Sequence, residues 1–322
     1  MSNVADFDVD STLTWDGIHN AIRDLGLQDN VAELELNGIT TITPDQSGIT
    51  PEFINTVRAE LVRLCGEVTG VPFSVAHGPE KPIRHLEPKN IFLIFQLLAY
   101  RIPEFEELIL NPAMQTLIGY LLGPERCLSS ESGFIKWQCS EQPEGERLEP
   151  IGMHADSPSP DTVPTLPLLV ANTNFLLTDF ACWEDGPMVV ARGSHREGRH
   201  PQASDAARMT GYKAPAGSIV VFGGALQHGS IVRLNPGMRI SINTFFCQPW
   251  VTPQEHLQGQ FPEFATRGKL ASQLVWQNSR HGWGVQGPKY MPTPFTAKTA
   301  PEDGYGALGR ERHPNSQLTQ TT

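Results

Sequence analysis

The chain has 322 residues, 39% of them apolar and 18% charged, a composition that can fill a sizeable core and that excludes wholesale disorder. Acidic residues outnumber basic ones, 35 to 24, and the resulting net charge of −11 argues against nucleic acid or an anionic membrane surface as the main partner, because both call for a basic footprint. Five scattered cysteines without a CxxC pair, an acidic opening stretch and no run of ~18 apolar residues lead to the expectation of a soluble, cytoplasmic protein that forms no membrane span.

In chain order, Ile18, Ile22, Leu25, Leu27, Val31 and Leu34 give residues 12–36 a helical pattern, and the β-branched run of 37–43 follows a turn. Residues 51–69 read as a helix, with Thr50 as cap, Pro51 in the first turn and Phe53, Val57, Leu61 and Leu64 at helical spacing. Two further helices are expected over 90–100 and 112–122, the second opened by Asn111–Pro112 and closed by Gly123. Past residue 126 the texture changes. Short runs rich in β-branched and aromatic residues, GFIKWQC, NFLLTDF, PMVVARG, GSIVVFG and RISINTFF, alternate with Gly, Pro, Asp and Asn, the pattern of a sandwich or jelly-roll barrel. Residues 140–167 are polar, carry six prolines and are expected to act as a mobile lid. The expected organisation is one domain over 1–322: a helical part (1–125), a jelly-roll core (126–250), and an extension with a loose tail (251–322).

The sharpest local feature is GMHADSP. His154 and Asp156 stand two apart, so on an extended segment both point to one side. A second imidazole is available in ALQHGS, at His228, just past an apolar run. Two histidines and a carboxylate on one face of a metal leave three positions open, an arrangement suited to iron(II) that must take a cosubstrate and O2 together. Eleven residues further on, Arg239 sits in the apolar run GMRISINTFF, where an arginine is costly unless paired. Its planar fork matches a carboxylate, such as the distal one of 2-oxoglutarate, and Ser230, two past His228, can add a hydroxyl donor.

Taken together, HAD (154–156), DGPMVVARGSHREG (185–198) and the stretch 214–246 resemble the phytanoyl-CoA dioxygenase-like family of iron(II)/2-oxoglutarate oxygenases, over roughly residues 130–250. The resemblance implies a double-stranded β-helix with helices packed on one side. It implies His154, Asp156 and His228 as iron ligands, Arg239 as the grip on the cosubstrate's far carboxylate, Ser230 as its helper, and a structural role for His195. Because Asp156 is present, halogenation is not expected. Asn174 or Thr173 can contact cosubstrate or substrate, and Lys136, Trp137 and Gln138 can line the pocket, with plain packing as the competing role for all five. The expected cofactors are Fe(II), 2-oxoglutarate and O2. The expected partner is a small organic substrate, an amino acid or a secondary-metabolite intermediate, and a homodimer is left open. The rival reading is a cupin-like small-molecule barrel, non-catalytic or using another metal. It explains the barrel and the histidines but leaves Arg239 and Ser230 without a task. Trp276, Trp283 and Tyr290 are candidates to cover the pocket; Arg280 or Arg267 can meet an acidic substrate, with surface solvation the favoured role.

Overall fold

The computed structural model describes residues 6–140, 150–157 and 162–277. Its N-terminal part comprises α1 (Trp15–Asp24), α2 (Gln28–Asn37), β1 (Ile39–Ile42), α3 (Pro44–Ser47), α4 (Pro51–Thr69), β2 (Phe73–Ser74), β3 (Gly78–Pro79), β4 (Ile91–Ile94), α5 (Pro103–Ile109) and α6 (Pro112–Leu122). Then follow β5 (Cys127–Trp137), β6 (Ile151–His154), β7 (Val170–Leu176), β8 (Met188–Val190), β9 (Thr210–Gly211), β10 (Ile219–Gly223), β11 (His228–Ser230) and β12 (Met238–Cys247), with α7 (Pro262–Ala265) and α8 (Lys269–Leu274) last.

The long helices begin where the sequence provides caps. Thr14, Thr50 and Asn111 each accept a hydrogen bond from a backbone N–H of the first turn, and prolines enter at the first turns of α4 and α6. The β-branched and aromatic runs pair into two antiparallel sheets. A six-stranded sheet has the order β1-β10-β7-β12-β5-β4, and a four-stranded sheet the order β6-β11-β8-β9. Side chains alternate across the large sheet. One face, with Ala171, Phe175, Ile219, Val221, Ile240 and Ile242, packs on Val57, Leu61 and Leu64 of α4 and on Met114, Leu117 and Ile118 of α6. The opposite face turns Ile39, Leu176, Val220 and Phe222 toward Met188 and Val190 of the small sheet. The result is a sandwich with its helices on one side. No helix among the described residues is long and apolar enough to cross a membrane.

Three expectations change. Residues 90–100 are not a helix: Ile91–Ile94 is an edge strand paired with β5, followed by a 3-10 turn over Leu97–Tyr100. A short apolar run such as IFLI satisfies both periods, and the backbone breaks at Asn90 (φ 54) and Gln96 (φ 59) cut it to strand length. The helical pattern of 12–36 is two helices, interrupted near Gly26, whose φ of +69 is left-handed. The segment 140–167 is not wholly loop, since it contains β6; its residues 141–149 and 158–161 lie outside the described residues, as does the tail from 278.

Candidate metal centre and the cavity behind it

Strands β6 and β11 are antiparallel neighbours, and their register sets His154 directly opposite His228. Each ring is turned by a local backbone carbonyl: His154 Nδ1 lies 2.6 Å from the Gly152 oxygen, and His228 Nδ1 lies 3.0 Å from the Leu226 oxygen. A carbonyl only accepts, so Nδ1 is a donor in both rings; Nε2 then offers a lone pair when the ring is neutral and an N–H toward Asp156 when it is protonated. Asp156 meets both: its Oδ1 is 3.2 Å from His154 Nε2 and its Oδ2 is 3.6 Å from His228 Nε2. One ligand atom from each of the three residues lies within 4.8 Å of the others, a set that could hold a metal ion. The side chain of His154 is 51% exposed and that of His228 10%, so the centre opens on the His154 side.

Electrostatics follow the geometry. The hydrogen bond to Asp156 raises the His154 pKa, whereas burial lowers that of His228. Burial pushes the Asp156 carboxyl up, but attraction to His228 and hydrogen bonds from His154 and Asn172 outweigh it and hold the group below its ordinary value. The Asn172 amide donates to Asp156 Oδ2 at 2.6 Å. Asn172 was not singled out in the sequence, although period-two alternation puts it on the same face as Asn174. Partners of this kind orient a ligand, and their loss typically costs 10–100-fold in metal affinity. Asn172→Ala is therefore expected to weaken metal binding by roughly that factor, read by metal titration of the apo-protein. An unchanged affinity would reduce Asn172 to a packing residue.

Behind the centre lies a cavity of about 540 Å³. Its back wall is a grid of side chains on one face of β5, β12 and β7. Lys136 stands opposite Arg239; Phe134, Ser241 and Leu176 share the next row; Ser132, Asn243 and Asn174 the next; Ser130, Phe245 and Asn172 the last. Rows are two residues apart, roughly 6.8 Å. Arg239 is fully buried between the rings of Phe134 and Phe180, with its Cζ 4.9 and 4.2 Å from their centroids. It donates from Nη1 to Ser241 Oγ at 3.0 Å, while Nε and Nη2 have no partner.

Two other buried arginines make the contrast. Arg126 spends its donors on Gln115, Thr12 and the Gly123 carbonyl, and Arg233 on Asp185 and the carbonyls of Gly237 and Pro236. Glu131, the nearest acid along β5, faces the helical layer and cannot neutralise Arg239. Lys136, also fully buried, donates to the carbonyls of Gly186 (2.9 Å) and Ile231 (2.5 Å) and to Ser230 Oγ. Since Ser230 Oγ accepts from the ammonium, its own O–H is free to donate toward the cavity it lines.

The remaining sequence candidates divide. Asn174 lines the cavity and donates to Asn243 Oδ1. Thr173 also lines the cavity, while alternation along β7 places its side chain on the face of Ala171 and Phe175 and its hydroxyl turns to the Thr244 carbonyl at 3.5 Å. Gln138 is exposed and donates to the Leu234 carbonyl at 2.9 Å, outside the cavity lining. It lies beyond the end of β5, where the strand's alternation no longer holds. Lys136 reaches the cavity only through Ser230. Trp137 is core, edge-on to Phe73 at 5.6 Å between centroids. Trp276 donates to the Leu128 carbonyl, Arg267 pairs with Glu106 at 3.1 Å, and His195 packs under Gly38 and contacts the Glu35 carbonyl, a structural place. Trp283, Tyr290 and Arg280 lie outside the described residues.

A two-histidine, one-carboxylate centre at the open edge of an antiparallel sandwich, with a buried guanidinium behind it that has two unpartnered nitrogens, defines a candidate metal centre joined to an anion pocket. Residues 88–241 match the model of the Phytanoyl-CoA dioxygenase (PhyH) family, a segment that contains all three candidate ligands and Arg239. That family model covers just under half of the chain. No curated protein matches it in sequence. Among solved structures it is similar to HygX from Streptomyces hygroscopicus with nickel and 2-oxoglutarate bound, at TM-score 0.51 and 15% identity, over 70% of this chain and 88% of that one. The same protein with nickel, 2-oxoglutarate and hygromycin B bound aligns at 0.50 and 14%, over 70% and 89%. AviO1 from Streptomyces viridochromogenes Tue57 aligns at 0.50 and 19%, over 69% and 95%. At these identities the likeness is one of fold.

Proposed function

We propose that the chain is an iron(II)- and 2-oxoglutarate-dependent oxygenase, built on a double-stranded β-helix, that oxidises a small organic substrate. The observation that carries this reading is Arg239: a fully buried guanidinium with two nitrogens unpartnered, in the wall of the cavity that also holds the His154–Asp156–His228 cluster. Burial of an unpaired cation is expensive, and a ligand carboxylate relieves it. The donor set fits iron, being two imidazole nitrogens with fixed tautomers and one carboxylate oxygen, arranged with one open side. The nickel and 2-oxoglutarate in HygX support the same pairing of metal and cosubstrate.

On this reading His154, Asp156 and His228 hold the metal, and Asn172 keeps Asp156 turned toward it. Arg239 binds the far carboxylate of 2-oxoglutarate, with the Ser230 O–H as a second donor. Lys136 fixes Ser230 in that role. Phe134 and Phe180 cover both faces of the guanidinium, which keeps water from the pair and strengthens it. When bound, iron with 2-oxoglutarate and O2 supplies the oxidising power: one oxygen atom goes to the substrate, the other to succinate, and CO2 is released. The protein's share is binding, orientation and exclusion of water.

The test is anaerobic. Iron(II) and then 2-oxoglutarate are added to the metal-free protein, and the weak visible charge-transfer band of the chelate is sought. A band that saturates with 2-oxoglutarate is the expected result. Iron binding without a band, at any 2-oxoglutarate concentration, would return the protein to the class of other-metal barrels.

A further inference from the structure

His228 owes its aim to one peptide group. The carbonyl of Leu226 accepts from His228 Nδ1 at 3.0 Å. The N–H of that same peptide belongs to Gln227, and it donates to Ser194 Oγ at 2.9 Å. A trans peptide unit is planar, so its C=O and N–H point in opposite directions and turn together. Whatever fixes the Gln227 N–H therefore fixes the carbonyl that orients the imidazole. Ser194 and Gln227 are both fully buried, so bulk water does not stand in for the serine hydroxyl.

Both residues are themselves held. Ser194 opens the 3-10 turn Ser194–Arg196, within the stretch GSHREG. The Gly193 N–H before it donates to the carbonyl of Asn37, the last residue of α2, at 2.9 Å, and the Ser194 N–H donates to the Ala191 carbonyl at 3.1 Å. Gln227 is gripped from two further sides. Its carbonyl accepts from the Ala191 N–H at 3.0 Å, and its side-chain amide donates to the Arg199 carbonyl at 3.2 Å and to Glu197 Oε2 at 3.3 Å. Glu197 is fixed in turn by Arg199 and Arg208. This grip has a cost, because Gln227 Oε1 is buried without a partner. A position that only fills space is better served by Met or Leu, which leave no buried acceptor unpaired. The amide therefore calls for a task other than packing.

We infer that Ser194 and Gln227 are positioning residues of the metal centre: they lock the Leu226–Gln227 peptide, whose carbonyl holds His228 Nδ1 and so turns Nε2 toward Asp156 and the metal. Neither residue lines the cavity, so neither touches cosubstrate or substrate. The inference rests on His228 being a metal ligand, as in the reading given above. Partners that orient a ligand are typically worth 10–100-fold in metal affinity, and because these two act through a peptide, the lower end of that range applies.

The experiment titrates the metal-free full chain with cobalt(II), whose ligand-field spectrum reports its coordination, and follows the His228 ring by NMR before metal is added. Ser194→Ala is expected to lose the protected Nδ1–H resonance of His228, to bind cobalt about tenfold more weakly, and to shift the ligand-field bands. Ser194→Thr keeps the hydroxyl and should restore all three. Gln227→Met should weaken cobalt binding in the same way with a melting temperature no lower than that of the native protein, a combination that a residue serving the fold alone does not give. Gln227→Met also decides the matter should Ser194→Ala fail to fold. Native cobalt affinity and spectrum in either variant overturn the inference, as does a threonine variant no better than the alanine one. A native protein that binds no cobalt sinks the metal centre itself. Cobalt binding as expected, without the iron–2-oxoglutarate band of the earlier test, sinks the oxygenase reading and leaves this inference standing.

Discussion

His154→Ala, Asp156→Ala and His228→Ala are each expected to abolish turnover while the fold stays intact. The two histidines sit at the end of β6 and the start of β11, and Asp156 lies in the loop just beyond β6. None of the three belongs to the apolar clusters that join the sheets to each other and to the helices. Loss of a residue that merely orients a ligand costs 10–100-fold in metal affinity, so loss of a ligand itself should cost more than about 100-fold. Metal titration, circular dichroism and turnover measured on the same preparations check this. Full activity of His228→Ala at saturating iron would remove it from the ligand set.

Proton competition gives the same prediction a pH arm. Metal binding needs His154 without its Nε2 proton. Asp156 raises the His154 pKa, so in the metal-free protein that proton is held to a higher pH than on an ordinary histidine. Metal loading should therefore rise with pH through a range above the usual histidine value. In Asp156→Ala the hydrogen bond is gone, and the His154 titration, followed by NMR on the metal-free protein, should move back down. A His154 curve that does not move would mean that the 3.2 Å contact does not govern its proton.

The sequence showed its chemistry more clearly than its boundaries. His154 and Asp156 were legible because i and i+2 on an extended segment share a side; the structure ends β6 at His154 and sets Asp156 in the loop just beyond it, where the two still meet. Arg239 was legible because a cation in an apolar run needs a reason. The α4 helix was readable to the residue, since Thr50, Pro51 and a regular apolar stripe agree. What failed were features that depend on neighbours far along the chain. The run IFLI became a strand because β5 offered it an edge, a fact no local period contains. Thr173 and Asn174 were read as interchangeable, and both line the cavity, but alternation on β7 puts the Thr173 side chain on the face of Ala171 and Phe175. Asn172 was missed although the same alternation selects it, because its task depends on the Asp156 loop passing β7. Gln138 stood one residue beyond the strand whose pattern was used to place it. Lys136 was assigned to the pocket, whereas its three donors are taken by two carbonyls and Ser230. Sequence marks which residue is unusual; register decides what that residue meets.

Arg239→Gln separates this protein from a generic metal barrel. Burial, with Arg233 nearby, pushes the Arg239 pKa down to about 9, which still leaves the group charged at neutral pH. No acid among the described residues answers that charge, and two of its nitrogens have no acceptor. In the bound state the far carboxylate of 2-oxoglutarate would supply the missing partner in a place closed off by Phe134 and Phe180. Truncating one member of such a pair costs about 2–5 kcal/mol, or roughly 30-fold to several thousand-fold in affinity. The glutamine variant is therefore expected to need at least ~30-fold more 2-oxoglutarate, at the lower end of that range. Metal affinity should hardly move, because the guanidinium lies behind the ligands and none of its hydrogen bonds reaches them. A shorter 2-oxoacid that lacks the far carboxylate should bind weakly to the native protein and lose little more when Arg239 is removed. That pattern distinguishes a lost ion pair from a damaged cavity, which would weaken both acids alike. The measurement is a titration of each 2-oxoacid at saturating metal, by calorimetry and by product release. An unchanged 2-oxoglutarate requirement in Arg239→Gln would make the arginine a structural residue and withdraw the strongest support for the cosubstrate.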